Sequence, residues 1–570
     1  MRPATGRAYG RPVSDDGTPT GPTASSGTFT ALAGQVLEEL LERHPEAATV
    51  LGDHRYDDRL ADRSEGALDE EARWVGSRLA DLRAVPAGSL STADEVDAHI
   101  LLNALELRRF ELEELREHEW DPLSANPGTA VYTLLARDFA PLGDRLRSVA
   151  GRLAAVPGAL ETARASLDGM PRVHVETAIG QFTGTRTLLA TELERALGDE
   201  PAMRPEVDPA REVALAAIDT HLDWLRAALD TADRDPRLGA ATYARKLALT
   251  LDTGSDADAV LARAEAELEA IEARIAETAA RLGGDASADG RVRRVLDDLA
   301  RDGSVDDDTI VGLCEGALAQ TTDFVRAHDL VTVHDDPVEV IVMPEIHRGV
   351  AVAYCNPPGP LESEQLPTYF AVSPTPSDWS PDRVASFFRE YNAHMLHNLT
   401  VHEAMPGHVQ QLAHNARYAA PVQVRKALWS GSFVEGWAVY AEELMVDSGY
   451  RAAEGFSDAL RMQQLKMQLR MTINAILDAR VHAHGMTEDE AMRLMMDRGH
   501  QEDGEAAGKW RRAQLTSAQL STYFVGYVEV RDVARDLAAA RPGASARERH
   551  DEMLAHGSPP PRHLRTLLGI

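Results

Sequence analysis

From about Phe29 the chain places apolar residues at a helical period. Leu32, Val36, Leu37, Leu40 and Leu41 fall on one stripe with polar residues between them, which predicts an amphipathic helix. Comparable stripes at Val96–His118, Ala140–Leu153, Ala210–Ala232 and Ala257–Leu282 predict further helices. Pro157-Gly158 and Asp199–Pro201 read as breaks between them, because proline lacks an N–H and its ring crowds the preceding turn. In the Ala257–Leu282 stretch, Glu265, Glu267, Glu269 and Glu272 interleave with Arg263 and Arg274 and read as a solvated face.

The period changes near residue 336. Val338–Val342 (VEVIV), Gly349–Tyr354 (GVAVAY) and Thr368–Val372 (TYFAV) are short β-branched runs, which predict a small antiparallel sheet. Helical periodicity resumes at Arg383 and runs to a proline-rich stop at Ser558–Pro561. Residues 1–27 lack periodic apolar positions and repeat Gly, Pro and Ser, the composition of a disordered tail. The expected organisation is a tail (1–27), a helical N-terminal part (28–300) and a second part (301–570) containing the sheet (336–375). The two parts form one continuous, mainly α fold.

Composition narrows the function classes. With 570 residues, 44% of them hydrophobic, the chain can bury a large core. Lys plus Arg number 59 against 91 Asp plus Glu, a formal net charge of −32. Such a surface repels phosphate backbones and anionic lipid, so neither nucleic acid nor a membrane is an expected partner. A small molecule or short peptide is. No run of about 18 apolar residues occurs, and Met1 to Thr28 shows no apolar stretch of the signal-peptide kind. Cys314 and Cys355 cannot staple a chain of this length and read as two free thiols. A cytoplasmic location is the expectation; no oligomeric state is implied.

The chemistry concentrates in Leu399–Gln411, LTVHEAMPGHVQQ. A His-Glu pair on a helix is the core of a zinc-hydrolase arrangement, with histidine as ligand and glutamate as general base. The usual second histidine stands four residues on, but here that position is Pro406 and the next histidine is His408. Six residues of regular helix rotate by roughly 600°, leaving the two side chains about 120° apart and about 9 Å apart along the axis. They could share a metal only if Pro406-Gly407 kinks the chain. The plainer alternative is a helix that ends at Met405, with His408 starting the next element.

A second segment, Ser432–Leu444 (SFVEGWAVYAEEL), offers Glu435 as a third ligand, 27 residues beyond His408. Glu442 shares its helix face and could orient a ligand histidine; otherwise Glu442 and Glu443 read as solvated charges. Tyr523 and Tyr527 are four apart in STYFVGYVEV. Either hydroxyl could stabilise an oxyanion, or both could be half-buried aromatics. Asn474, Asp478 and His482 share one face and read as a polar cleft wall or as a buried network. An edge of the sheet near Gly349–Asn356 could hold an extended substrate by strand addition, with Tyr354 and Asn356 beside it.

HEAMPGH (His402–His408) followed by FVEGWAVYAEE (Phe433–Glu443) resembles the bacterial DUF885 family, itself similar to gluzincin metallopeptidases. Pro45–Leu60, Arg145–Pro157, Gly239–Leu247, Asp478–Ala491 and the terminal GSPPPRHL are also similar to family segments, so the resemblance covers about residues 29–568. It implies a large helical, cleft-containing, zincin-like body and a divalent metal, most often Zn2+. It assigns His402, His408 and Glu435 as ligands and Glu403 as the carboxylate that acts as general base. Two departures stand out: Val409 replaces a frequent second histidine, and Asn474 stands where an arginine is usual, with Asp478 and His482 preserved. Losing that cation would alter recognition of a carboxylate-bearing substrate.

Three readings compete. The first is a zinc-dependent hydrolase of peptide or amide bonds. The second keeps the metal but performs a lyase, cyclase or rearrangement reaction on a small specialised metabolite. The third is a non-catalytic helical binding protein.

Overall fold

The helical stripes fold as helices. A computed structural model describes residues 24–86, 88–283, 290–301, 305–343, 352–376 and 379–570. The first helix, Ala24–Arg43, buries Val36, Leu37 and Leu41 and half-buries Leu32 and Leu40. It begins before Phe29, and the expected tail otherwise lies outside the described residues.

In the N-terminal part, α1 (Leu142–Ser166), α2 (Arg172–Asp199) and α3 (Arg204–Ala228) pack around Leu146, Leu153, Phe182, Leu193 and Ile218. Pro157 lies inside α1 rather than ending it. Its missing N–H removes one bond, to the Leu153 carbonyl, and fully buried Val156 and Leu160 on either side hold the helix together.

The site sits on six later helices: α5 (Ala393–Glu403), α6 (His408–Arg417), α7 (Gly431–Asp447), α8 (Ser457–His484), α9 (Asp503–Leu515) and α10 (Ser521–Ala540). Helix α4 (Ala257–Gly283) packs along α8 through Leu268, Ile271 and Ile275 against Leu469, Ile473 and Ile476. Residues from before and after position 300 thus share one hydrophobic cluster.

The acidic face of α4 is not simply solvated. Glu265 pairs with Arg480, Glu267 with Arg531, and Glu269 and Glu272 with Arg498. These half-exposed pairs contribute about 0–1 kcal/mol each, so they align α4 with its neighbours more than they hold it. Pro561 does not stop the helices either; it opens a last one, Pro561–Leu568, where its fixed φ suits a first helical position.

Three strands form one sheet in the order β1 (Val338–Val342), β3 (Thr368–Val372), β2 (Ala353–Asn356). Strand β2 runs antiparallel to β3, whereas β1 runs parallel to it, so the sheet is mixed rather than wholly antiparallel. The reason is topological: the chain reverses into β2 and again into β3, and β3 then inserts beside β1. Gly349–Ala351 of the second predicted run lie outside the described residues. Phe370 and Val372 pack on Met395, Leu396 and Leu399 of α5, which seats the sheet against the site. The Val352 carbonyl accepts from the Ser373 N–H at 2.8 Å. By the alternation of an antiparallel ladder, the backbone groups of Ala353 and Cys355 therefore face away from β3.

Helices α7 and α10 cross backbone to backbone at Gly436 and Gly526. A Cβ on Gly526 would lie 2.0 Å from the Ser432 carbonyl oxygen, and one on Gly436 would lie 2.3 Å from Gly526. No helix among the described residues is long and apolar enough to cross a membrane.

Candidate metal centre

Helix α5 opens at Asn392, whose side chain accepts from the N–H groups of His394 and Met395. Met395, Leu396, Asn398, Leu399, Thr400 and Val401 are all buried, so α5 runs through the interior. It ends at Glu403; Ala404 leaves helical geometry at φ −126°, ψ −84°, and the Met405-Pro406 peptide is cis. The Gly407 N–H then donates to the Val401 carbonyl at 2.9 Å. Only glycine fits there, because a Cβ would lie 1.8 Å from the His402 carbonyl oxygen. The helix therefore does stop, and His408 does begin α6, yet the tight reversal returns it to His402. The two rings stand 4.8 Å apart at 87°. Trp437 of α7 donates its indole N–H to the Pro406 carbonyl at 2.8 Å, fastening this loop to the helix that carries Glu435.

Glu435 Oε2 lies 3.4 Å from His402 Nε2 and 3.5 Å from His408 Nε2. All three donor atoms fall within 4.8 Å of one another. A tetrahedral cation with bonds of about 2.0–2.1 Å spaces its ligand atoms about 3.3–3.4 Å apart. The observed separations match that edge and exceed those of ordinary hydrogen bonds; Glu435 Oε2 is buried without a hydrogen-bond partner. Burial by itself raises a carboxyl pKa, but the two imidazoles hold Glu435 well below the carboxylate range. Burial likewise opposes a charged His402, and Glu435 with Glu442 overcomes it, placing His402 well above the usual imidazole range. Two imidazoles and one carboxylate converging on a shared point fit a divalent cation, zinc most simply and manganese, cobalt or iron as well.

Glu442 orients His402, the first candidate ligand. Its Oε1 takes the His402 Nδ1–H at 2.7 Å and its Oε2 the Asn398 amide at 2.7 Å, with the residue only 1% exposed. Both oxygens accept, so Nδ1 carries the proton and Nε2 is left facing Glu435. Glu443 is not a solvated charge either: it pairs with Arg274 and takes the Tyr527 hydroxyl.

Glu403 turns the other way, towards the sheet, where its Oε2 accepts from the Cys355 N–H at 3.0 Å. Burial pushes its carboxyl up, and the nearby His402 and His408 only partly offset that. Glu403 and the three donors open into a cavity of about 1280 Å³, also lined by Tyr354, Asn356, Asn474 and Tyr523. The N-terminal part closes one end of it. Arg137 donates to the carbonyls of Asn356 and Pro357 and to the Asn356 side chain. His54 bridges Asp57 at 2.9 Å and Glu362 at 3.1 Å, and its ring stacks on Phe139 at 3.8 Å. Burial opposes its charge, yet the two carboxylates hold His54 up to about 9.

The predicted residues thus divide. His402, His408 and Glu435 come together, with Glu403 and Glu442 beside them. Tyr523 faces the cavity, its hydroxyl accepting from Arg512 at 3.4 Å. Tyr527 does not: it is 1% exposed and its hydroxyl donates to Glu443 and accepts from Gln468 and Arg531. One turn further along α10, it has passed into the core between α8 and α10. Asn474 lines the cavity, whereas Asp478 and His482 are a buried structural network. Asp478 accepts from the N–H groups of Ala518 and Ser521 at the start of α10, and His482 binds the Thr516 carbonyl. Sequence reasoning missed Asn398, Trp437 and the Cys355 N–H, and a wall of Arg470, Glu505, Lys509 and Arg512. Only the wall left a trace, as Glu505, Lys509 and Arg512 fall on one helix face, and a charged helix face ordinarily reads as solvated.

Residues 45–568 match the family described as bacterial protein of unknown function (DUF885). The chain belongs to that family. A "putative lipoprotein of unknown function" from Shewanella oneidensis shares 28% identity, with 95% of this chain and 100% of that one covered at a TM-score of 0.80. A "putative lipoprotein" from Colwellia psychrerythraea shares the fold at 16% identity and a TM-score of 0.78, covering 96% of this chain and 98% of its own. An M32 carboxypeptidase from Deinococcus radiodurans aligns over 89% of this chain and 96% of its own at 12% identity, but a TM-score of 0.36 carries no functional argument. No curated protein matches the chain.

Proposed function

We propose that this protein is a metal-dependent hydrolase of peptide or amide bonds. The observation behind the reading is the convergence of His402, His408 and Glu435 beside Glu403, a carboxyl raised by burial, in one large cavity. A divalent cation held by those three donors supplies Lewis acidity towards a carbonyl and towards water. Glu403 takes the proton from the attacking water and returns it to the leaving amine; a carboxyl raised above its usual range suits both transfers. The Cys355 N–H aims it. Tyr523 donates its hydroxyl to the oxyanion that forms at the carbonyl. The outward N–H and carbonyl of Ala353 and the carbonyl of Cys355 on β2 align an extended substrate, with Tyr354 and Asn356 beside it.

The test is Glu403→Gln, which keeps the shape and removes the base. Turnover of amide substrates falls by about 10²–10⁴-fold while metal content stays at the wild-type level; full activity in that variant sinks the mechanism. Asn474 in the cavity wall favours a second reading, a lyase, cyclase or rearrangement of a small metabolite. Metal-loaded protein that cuts no peptide yet binds a small acid tightly would favour it. The cellular site proposed is the cytoplasm, and fractionation decides between that and the envelope location that the lipoprotein descriptions of its relatives bring in.

A further inference from the structure

Helices α8 and α9 build a cationic wall of the cavity. Arg470 lies on α8; Lys509 and Arg512 lie on α9, and all three line the cavity. Against them stands one carboxylate of that wall, Glu505, which Arg470 engages while also donating to the Tyr391 hydroxyl at 3.1 Å. Among the described residues the Arg512 side chain donates only to neutral partners, the Gln519 side chain at 2.9 Å and the Tyr523 hydroxyl at 3.4 Å.

Lys509 is the telling residue. It is 6% exposed, and among the described residues no hydrogen bond or ion pair engages its ammonium. Burial, followed by Arg470 and Arg512, pushes it well below the usual lysine range, and Glu505, already engaged by Arg470, offsets only part of that. Another buried lysine in this protein shows the contrast: Lys466, 5% exposed, holds Glu390 at 2.8 Å. A buried amine without a hydrogen-bond partner costs stability whether or not it is charged. In a chain of net charge −32, carboxylates to pair with it are not scarce.

We propose that Lys509, with Arg470 and Arg512, forms a subsite for a carboxylate of the substrate. The substrate class is then an amide bearing a free carboxylate near the scissile bond, as the end of a peptide chain does. Lys509 supplies an unpartnered amine that an incoming carboxylate holds as the ammonium, and Arg512 a planar fork matched to a carboxylate. This deepens the hydrolase reading and rests on it for the reaction, whereas carboxylate binding stands by itself.

The experiment titrates a panel of N-acetyl amino acids and their matching amides into the full chain by calorimetry, with zinc and after chelation. The free acids are expected to bind about 10- to 100-fold tighter than the amides. Lys509→Met should lose the preference while melting at the same or a higher temperature, because a buried polar group without a partner has gone. Arg512→Gln, at a half-buried position, should lose part of it and covers the case of a Lys509→Met chain that does not fold. A panel in which no free acid outbinds its amide overturns the proposal, as does a folded Lys509→Met that keeps the preference. A preference that survives chelation supports the subsite even if no amide is ever cut, and in that case the hydrolase reading alone falls.

Discussion

Among the described residues two clusters gather two histidines and a carboxylate: His402, His408 and Glu435, and His99, Asp252 and His563. By residue type they are equivalent. In the second, Asp252 lies 3.1 Å from His99 and 3.3 Å from His563, and the rings stand 4.4 Å apart. Arg562, however, binds both Asp252 and His99, so a guanidinium already occupies the place of a cation. In the first cluster no arginine or lysine among the described residues pairs with Glu435, and a buried carboxylate, Glu442, holds one ligand in position. His54 is a third variant, an imidazole bridging two carboxylates with a proton as the cation. The counter-ion built into the surroundings, more than the residue types, separates a candidate metal centre from a structural clamp.

The sharpest way to break the comparison is metal analysis. Wild type is expected to carry about one divalent ion per chain after zinc loading, lost in His402→Ala and in Glu435→Ala. His99→Ala and His563→Ala should keep it; metal loss in those variants alone would reverse the assignment. Glu442→Ala leaves all three donors but frees the His402 ring, and metal affinity should fall about 10- to 100-fold in a competitive chelator titration. Arg562→Gln removes the internal cation of the second cluster. A second, weaker zinc equivalent should then appear in that titration, and its absence would mean the half-exposed cluster lacks ligand geometry altogether.

The smallest effect concerns His54. Its folded pKa is raised to about 9, so its clamp contributes fully below the unfolded value, about 6.5, and is lost as pH rises through about 9. The wild-type melting temperature should fall more between pH 7 and 10 than that of His54→Gln. Parallel curves would show that the imidazole is neutral in the fold.

Legibility differed from element to element. The stripe at Leu32–Leu41 and the β-branched runs at 338–342 and 368–372 predict their own structures, because period and side-chain type act locally. Pro157 misleads, since tertiary packing on both sides outweighs one missing hydrogen bond. Among the site residues, His402, Glu403, His408 and Glu435 stand out through their motifs. Tyr523 and Tyr527 do not separate by sequence: four residues apart on one face, only the neighbouring helices show that one meets the cavity and the other Glu443.

The helical body, the small sheet, the acidic charge and the four residues of the candidate site are all legible along the chain. All follow from composition, periodicity and short motifs, which are local properties of the chain. Only the tertiary structure decided that His408 returns to His402 through a reversal that admits no Cβ at position 407. It alone placed Glu442 on His402, Arg562 on Asp252 and, among the described residues, no hydrogen-bond partner on Lys509. Those outcomes depend on which charges distant segments bring within a few ångströms of one another, and Coulomb energies in a dry interior depend on that distance rather than on separation along the chain.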